Sequence, residues 1–125
     1  MAIERFEDIR AWQRARELAR EVYAVSGCGN FATDFGLRDQ IRKAAGSVMH
    51  NIAEGFDAGS DPEFIRLLSY ARRSTTEVQS QLYIAMDQGY VNQEQFDHIY
   101  DLAEQWKKLI NGFINYLRQS SVRSP

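Results

Sequence analysis

The residues of this chain best suited to chemistry lie on one predicted helix near its middle. His50 and Glu54 are four residues apart, so both would project from one side of a helix and could share a metal ion. Di-iron sites in helical bundles need two Glu-x-x-His motifs and two further glutamates. The only histidines are His50 and His98, and neither follows a glutamate by three residues. We therefore predict no metal site and no cofactor.

A second pattern on the same helix is a stripe of polar side chains at helical spacing. On a helical wheel its members fall within roughly 60° of one another. They are Gln40, Ser47, Asn51 and Glu54. A buried carboxylate among hydrogen-bond donors could act as an acid or a base. Alternatively, the stripe bonds to a neighbouring helix and fixes its register, because an unpaired buried polar group costs about 1–3 kcal/mol. We favour this structural interpretation, with partners predicted on the next helix at Arg73, Glu77 and Gln81.

Other catalytic patterns are weak in this sequence. Nucleophilic catalysis needs a serine or cysteine beside a histidine and a carboxylate. Cys28 lies between glycines in a predicted loop, which favours an inert or mildly reactive thiol. We find no glycine-rich loop of the kind that cradles phosphates. The sequence therefore predicts no catalytic residues and no enzyme.

Length and composition are typical of a single soluble domain spanning residues 1–125. The net charge is −2 and the charges are evenly spread, which argues against strong nucleic-acid binding by a single copy. The lone cysteine permits no internal disulfide and fits a reducing compartment. The start of the chain is too charged for a secretory signal, and no apolar run approaches the roughly 20 residues of a membrane span. We expect a cytoplasmic protein without membrane association.

Turn signals divide the chain into four helical segments, predicted over residues 7–25, 36–54, 62–88 and 93–119. Gly55 is expected to end the second helix, Ser60 or Asp61 to cap the third, and Asn92 to cap the fourth. Strand signals are missing. Because short loops join long helices, we predict an all-α, antiparallel up-down-up-down four-helix bundle.

The apolar arcs of these helices differ in width. The third helix has an arc of roughly 100°, enough for one bundle face, whereas the first and fourth have arcs of roughly 200°. Such wide arcs cannot all face one core, and soluble monomers avoid large exposed apolar patches. We therefore predict that the first and fourth helices carry a subunit interface; the alternative is that their aromatic residues only reach around the core edge. The candidate interface residues are Trp12, Leu18, Tyr100, Trp106, Phe113 and Tyr116.

Basic residues cluster on the second and third helices. On a soluble helix such residues usually form a solvated surface, but repeated around a ring they could bind phosphates. The candidate nucleic-acid contacts are Arg38, Arg42, Lys43, Arg66, Arg72 and Arg73.

Several motifs in order, from Phe6 to about Leu117, carry a family resemblance. They read FEDIRAWQRARELAREVY, FGLRDQIRKAAGSV, NIAEGF and EFIRLLSYARRSTTEVQSQLYIAMDQGYV. They resemble the bacterial four-helix-bundle family first noticed as reading frames in intervening sequences of large-subunit ribosomal RNA genes. The family usually has proline and serine before NIAEG, where this chain has Met49 and His50, so its second helix is expected to be straighter or to be kinked for another reason.

The resemblance implies an antiparallel bundle that assembles as a ring, typically a homopentamer, with no established enzymatic activity. A structurally similar relative is the accessory protein of diversity-generating retroelements, a basic pentameric barrel that binds nucleic acid and a reverse transcriptase. We therefore expect a non-enzymatic homo-oligomeric scaffold or adaptor that engages RNA, DNA or a protein partner. The alternative is a nucleic-acid-binding accessory protein acting through basic patches of the ring.

Overall fold

A computed structural model describes the backbone of residues 3–123 and the side chains of residues 3–119. Within this part of the chain the structure is all-helical, with no β-strand. Four long helices dominate: α1 (Arg10–Ser26), α2 (Phe35–Phe56), α3 (Asp61–Asp87) and α4 (Gln93–Arg123). Two short 3-10 helices, Phe6–Asp8 and Gly29–Thr33, precede α1 and α2.

Local capping signals place the starts of three helices. The side chain of Asp34 caps α2 by accepting a hydrogen bond from the backbone N–H of Leu37, and Ser60 caps α3 with Pro62 in its first turn. Asn92 and Gln95 form a reciprocal capping box at the start of α4, because each side chain accepts a hydrogen bond from the other's backbone N–H. The predicted caps at Ser60 and Asn92 are confirmed.

Gly55 does not end α2, contrary to the prediction. The helix continues to Phe56 and is capped by Asp57. Gly55 is buried, and a Cβ atom built on it would lie 2.5 Å from Cδ1 of Phe64 on α3. The glycine is therefore needed for close approach between α2 and α3 rather than for a turn. No break occurs at Met49 and His50, since α2 is continuous across them.

The helices pack around two clusters of buried side chains. One cluster includes Leu18, Phe31, Ile41, Leu82 and Ile99. The other includes Ile52, Phe64, Leu68, Trp106 and Ile110. Met49 packs against both clusters and so joins them. Each cluster draws on all four helices, so burial of apolar surface holds the four together.

Polar contacts link the helices in pairs. Hydrogen bonds join Arg42 of α2 to Ser26 of α1, and Ser74 of α3 to Ser47 of α2. The α3–α4 contacts are Gln79 with Glu104 and Arg72 with Asn111. The α1–α4 contacts are Trp106 with the Ala11 carbonyl, and His98 with Glu21 at 3.8 Å.

Candidate interaction surfaces

The polar stripe of α2 forms a hydrogen-bonded contact with α3 at its centre. Asn51 Nδ2 donates to Oγ of Ser47 at 2.9 Å, and Ser74 Oγ donates to the same oxygen at 3.0 Å. Gln40 and Glu54 are exposed, so the stripe contains no buried carboxylate suited to acid–base work. The partner on α3 is Ser74, which the sequence analysis missed.

The predicted partners on α3 lie elsewhere. Arg73 and Glu77 are exposed, and Gln81 is buried with its Oε1 atom lacking a hydrogen-bond partner. The prediction was wrong because it depended on the rotation of α3 about its own axis, which the spacing of polar residues does not determine. A serine was sufficient since the two helices approach closely here.

The basic residues of α2 are largely engaged within the subunit. The Arg42 guanidinium donates from Nε to Ser26 Oγ at 2.7 Å and lies 4.5 Å from the centre of the Tyr23 ring. It therefore caps the carboxyl end of α1, where a cation is favourable. Arg38 donates to the carbonyl of Ala32 and pairs with Asp39. Lys43 is exposed.

The basic residues of α3 surround one aromatic ring. Tyr70 is half-exposed, and the guanidinium groups of Arg66 and Arg73 lie 5.2 and 5.7 Å from its ring centre. Arg66 also forms an ion pair with Glu63, and this hydrogen bond raises the pKa of the guanidinium and lowers that of the carboxyl. Arg72 instead donates to Asn111 of α4 at 2.6 Å. The six candidate residues therefore do not form one uniform basic face.

Two of the predicted interface residues belong to the core. Leu18 is fully buried and Trp106 is 1% exposed, both within a single copy of the chain. The indole N–H of Trp106 is satisfied inside the subunit by the carbonyl of Ala11. The prediction that these two residues lie at an interface was therefore wrong. A helical wheel gives the width of an apolar arc but does not show which part of the arc faces inward.

The other four candidates lie at the edge of the core or outside it. Trp12, Tyr100 and Phe113 are half-buried, and Tyr116 is 54% exposed. Trp12 packs edge-to-face on Phe6, with ring centres 5.2 Å apart. These aromatic side chains are the part of the wide arcs that the subunit leaves partly uncovered.

An apolar groove runs along the surface between α1 and α4, and we call it the seam groove. It has a volume of about 710 Å³. Its lining side chains include Ile3, Ile9, Ala11, Leu109 and Phe113, with Gly112 leaving open space above the α4 backbone. A smaller cavity of about 250 Å³ shares Arg10 and Leu109 with it and extends it towards Leu102. The charged residues around the two cavities are Asp8, Arg10, Arg14 and Lys108.

A second surface, the aromatic patch, lies where α3 and α4 meet and consists of Tyr83, Phe96 and Tyr100. The ring of Tyr83 contacts those of Phe96 and Tyr100 edge-to-face, at centre distances of 4.9 and 5.9 Å. Tyr83 is 54% exposed. The neighbouring Tyr83 phenol, followed by burial, raises the pKa of Tyr100.

The sequence analysis did not single out these two surfaces as sites. For the groove, the signal at Leu109 was its place in the wide apolar arc of α4. The signal at Gly112 was weaker, because it is only a small residue between large ones. Tyr83 falls outside the narrow apolar arc of α3. A large aromatic residue outside the core arc was the available signal for the patch.

The positions of the candidate metal ligands and of the single thiol can be read from the described residues. Within residues 3–119, no three His, Cys, Asp or Glu side chains gather as a metal site would require. The thiol of Cys28 is exposed and donates a hydrogen bond to the carbonyl oxygen of Ala24. None of the helices described is both long and apolar enough to cross a membrane.

Comparison with known proteins agrees with this architecture. A solved structure of a protein with unknown function from the S23 ribosomal protein family of Bacteroides thetaiotaomicron VPI-5482 matches with a TM-score of 0.75 and 24% sequence identity. The match covers 83% of this chain and 97% of that one, and at this identity it shows the fold alone. No curated protein matches the chain. The family model described as 23S rRNA-intervening sequence protein matches residues 7–112. The chain therefore belongs to the 23S rRNA-intervening sequence protein family.

Proposed function

We propose that this protein is a non-enzymatic, cytoplasmic scaffold whose copies associate by covering the seam groove, with a pentameric ring as the expected assembly. The observation that carries the proposal is the groove itself. Ile3, Leu109 and Phe113 line an open cavity of about 710 Å³ on the outside of the subunit. Apolar surface of this kind is stabilised when a second molecule removes it from water.

The proposed subunit is an antiparallel bundle with up-down-up-down connections. Residue numbers support this order, because they increase along one helix while they decrease along its neighbour. On α3 and α4, Arg72 meets Asn111 while Gln79 meets Glu104. On α1 and α4, Ala11 meets Trp106 and Glu21 meets His98. The α2 and α3 helices are antiparallel by the same criterion, because Gly55 meets Phe64 while Ser47 meets Ser74.

A scaffold role is favoured over catalysis by the way in which the polar stripe is used. The Ser47 hydroxyl oxygen accepts hydrogen bonds from Asn51 on its own helix and from Ser74 on α3, and the second bond joins the two helices. Glu54 and His50 are both exposed to solvent rather than enclosed in a cleft. The polar side chains of the stripe therefore serve packing in this proposal.

Light scattering coupled to gel filtration tests the assembly. The wild-type chain at micromolar concentration is expected to elute with a mass several times the 14.4 kDa of one copy. Dilution should dissociate it in one cooperative step if each copy is held by two equivalent contacts. A mass of 14.4 kDa at all concentrations would end the proposal.

The second candidate function is binding of single-stranded nucleic acid, favoured by the cluster around Tyr70. An exposed aromatic ring beside arginines suits base stacking and phosphate contact together. Arg73 is exposed and lies over this ring. Each chain has a net charge of −2, but several copies in a ring would repeat the cluster and concentrate positive charge on one surface.

Fluorescence anisotropy with a labelled single-stranded RNA tests this candidate. The logarithm of the binding constant should fall by about 0.7 per phosphate contact for each tenfold rise in salt. Arg73→Glu should weaken binding at least tenfold. Arg16→Glu is the matched control, because Arg16 is also exposed and lies over a ring, that of Trp12 on α1. Absence of binding at low salt would exclude the candidate.

A further inference from the structure

The seam groove and the aromatic patch are two different surfaces that share one helix. The patch uses Phe96 and Tyr100 near the start of α4, whereas the groove uses Leu109, Gly112 and Phe113 further along it. A closed ring requires two unlike surfaces on each copy, because every copy contacts one neighbour on each side. A two-fold dimer would require only one surface that matches itself.

The shapes of the two surfaces are complementary. The groove is concave, and Gly112 contributes no side chain to its wall, so a Cβ atom there would meet nothing within 4 Å. The patch instead presents Tyr83, which is 54% exposed. A cavity of about 710 Å³ lies in the range that accommodates a ligand of several rings, which leaves room for this side chain.

The charges beside the groove are mainly positive. Arg10, Arg14 and Lys108 surround the two cavities together with a single carboxylate, Asp8. Arg14 is partly neutralised by an exposed pair with Glu17 at 3.1 Å. Arg10 and Lys108 are exposed. The rim therefore attracts a negatively charged partner surface.

The charges beside the patch are negative. Asp97 and Asp101 flank Tyr100 in a shallow depression on α4. Each carboxylate accepts a hydrogen bond from a neutral amide, that of Gln93 or Gln105, so its charge is not cancelled. Opposite charges around the two apolar surfaces favour contact of a patch with a groove. They disfavour contact of one groove with another, or of one patch with another.

From this complementarity we infer that the aromatic patch of one copy inserts into the seam groove of the next, in a head-to-tail contact between copies of the chain. This inference rests on the proposed homo-oligomer and names its two surfaces. Tyr83 enters the groove beside Gly112, while Asp97 and Asp101 face the basic rim.

Two single substitutions block one surface each without touching the core. Gly112→Gln fills the groove from a position where the subunit has open space, and Tyr83→Lys places a charge on the exposed patch. Each variant alone should elute at the 14.4 kDa of one copy, with an unchanged helical circular dichroism spectrum. Gly36→Gln and Ala24→Lys are the matched controls, because both positions are exposed helical sites outside the two surfaces.

Mixing the two variants in equal amounts gives the decisive measurement. Each mixed pair retains one intact groove and one intact patch, so a species of twice 14.4 kDa should form and grow no further. A mixture that stays monomeric, or blocked variants that keep the wild-type mass, would overturn the head-to-tail contact. Loss of assembly in the controls would overturn it as well. A wild-type chain that is itself monomeric would instead remove the proposed function.

Discussion

The indole nitrogen of Trp106 on α4 donates a hydrogen bond of 2.9 Å to the carbonyl oxygen of Ala11 on α1. Trp106 is 1% exposed and Ala11 is 2% exposed, so the bond is shielded from water. It ties the two helices together beneath the seam groove, which Ala11 also lines. The floor of the groove at Ala11 is therefore joined to α4 by a buried hydrogen bond.

Trp106→Phe should destabilise the subunit by about 1–3 kcal/mol, because the Ala11 carbonyl loses a buried donor and part of the indole volume is left empty. Urea unfolding followed by circular dichroism at one fixed protein concentration measures the change. Trp12→Phe is the control and should cost less, since Trp12 is only half-buried. A drop in assembled mass with unchanged stability would instead return Trp106 to an interface.

The parts of the fold that depend on local sequence could be predicted. Ser60 and Asn92 cap helices through bonds to residues three positions away, so neighbouring residues determine their role. Gly55 was misread because its role is set by Phe64, which belongs to another helix. Trp106 was misplaced for a similar reason: composition identifies an apolar residue, but only packing distinguishes the core from an outer groove.

Gly55→Ala should lower the free energy of unfolding by about 1–3 kcal/mol, although alanine is the better helix former. The new Cβ would lie 2.5 Å from Cδ1 of Phe64, so either the buried Phe64 ring or the two helices must shift. Gly46→Ala on the same helix is the matched control, because its Cβ would meet only His50, at 3.5 Å. That control should be stabilised by about 0.5–1 kcal/mol. Equal effects of the two substitutions on chemical denaturation would contradict the close approach.

The Tyr90–Asp34 hydrogen bond should make stability depend on pH in the alkaline range. The Tyr90 hydroxyl donates to Asp34 at 2.9 Å, and this bond raises the pKa of Tyr90 above 10.0. A raised pKa in the folded state means that the stabilisation is complete below pH 10 and is lost as pH rises through the folded-state pKa. Tyr90→Phe should therefore melt at a lower temperature than wild type at pH 7, and the difference should shrink as the pH is raised beyond the folded-state pKa.

Thermal melts of both proteins across this pH range check the sign. Tyr116→Phe is the control, because Tyr116 is exposed and its loss should leave the melting temperature at pH 7 unchanged. A difference between wild type and Tyr90→Phe that grows with pH would show that the bond is not the source of the stabilisation.

Ser47 and Ser74 should be energetically coupled, because Ser74 donates to Ser47 Oγ at 3.0 Å across the α2–α3 contact. Ser47→Ala and Ser74→Ala should each cost about 0.5–1.5 kcal/mol. The double variant should cost less than their sum by about 0.5–1 kcal/mol, since the shared bond is lost only once. Ser69 is the matched control: it donates to Ile65 on its own helix, so Ser69→Ala and Ser47→Ala should be additive. If the changes in the free energy of unfolding for Ser47→Ala and Ser74→Ala were also additive, the two serines would not interact, and the polar stripe would not contribute to packing between α2 and α3.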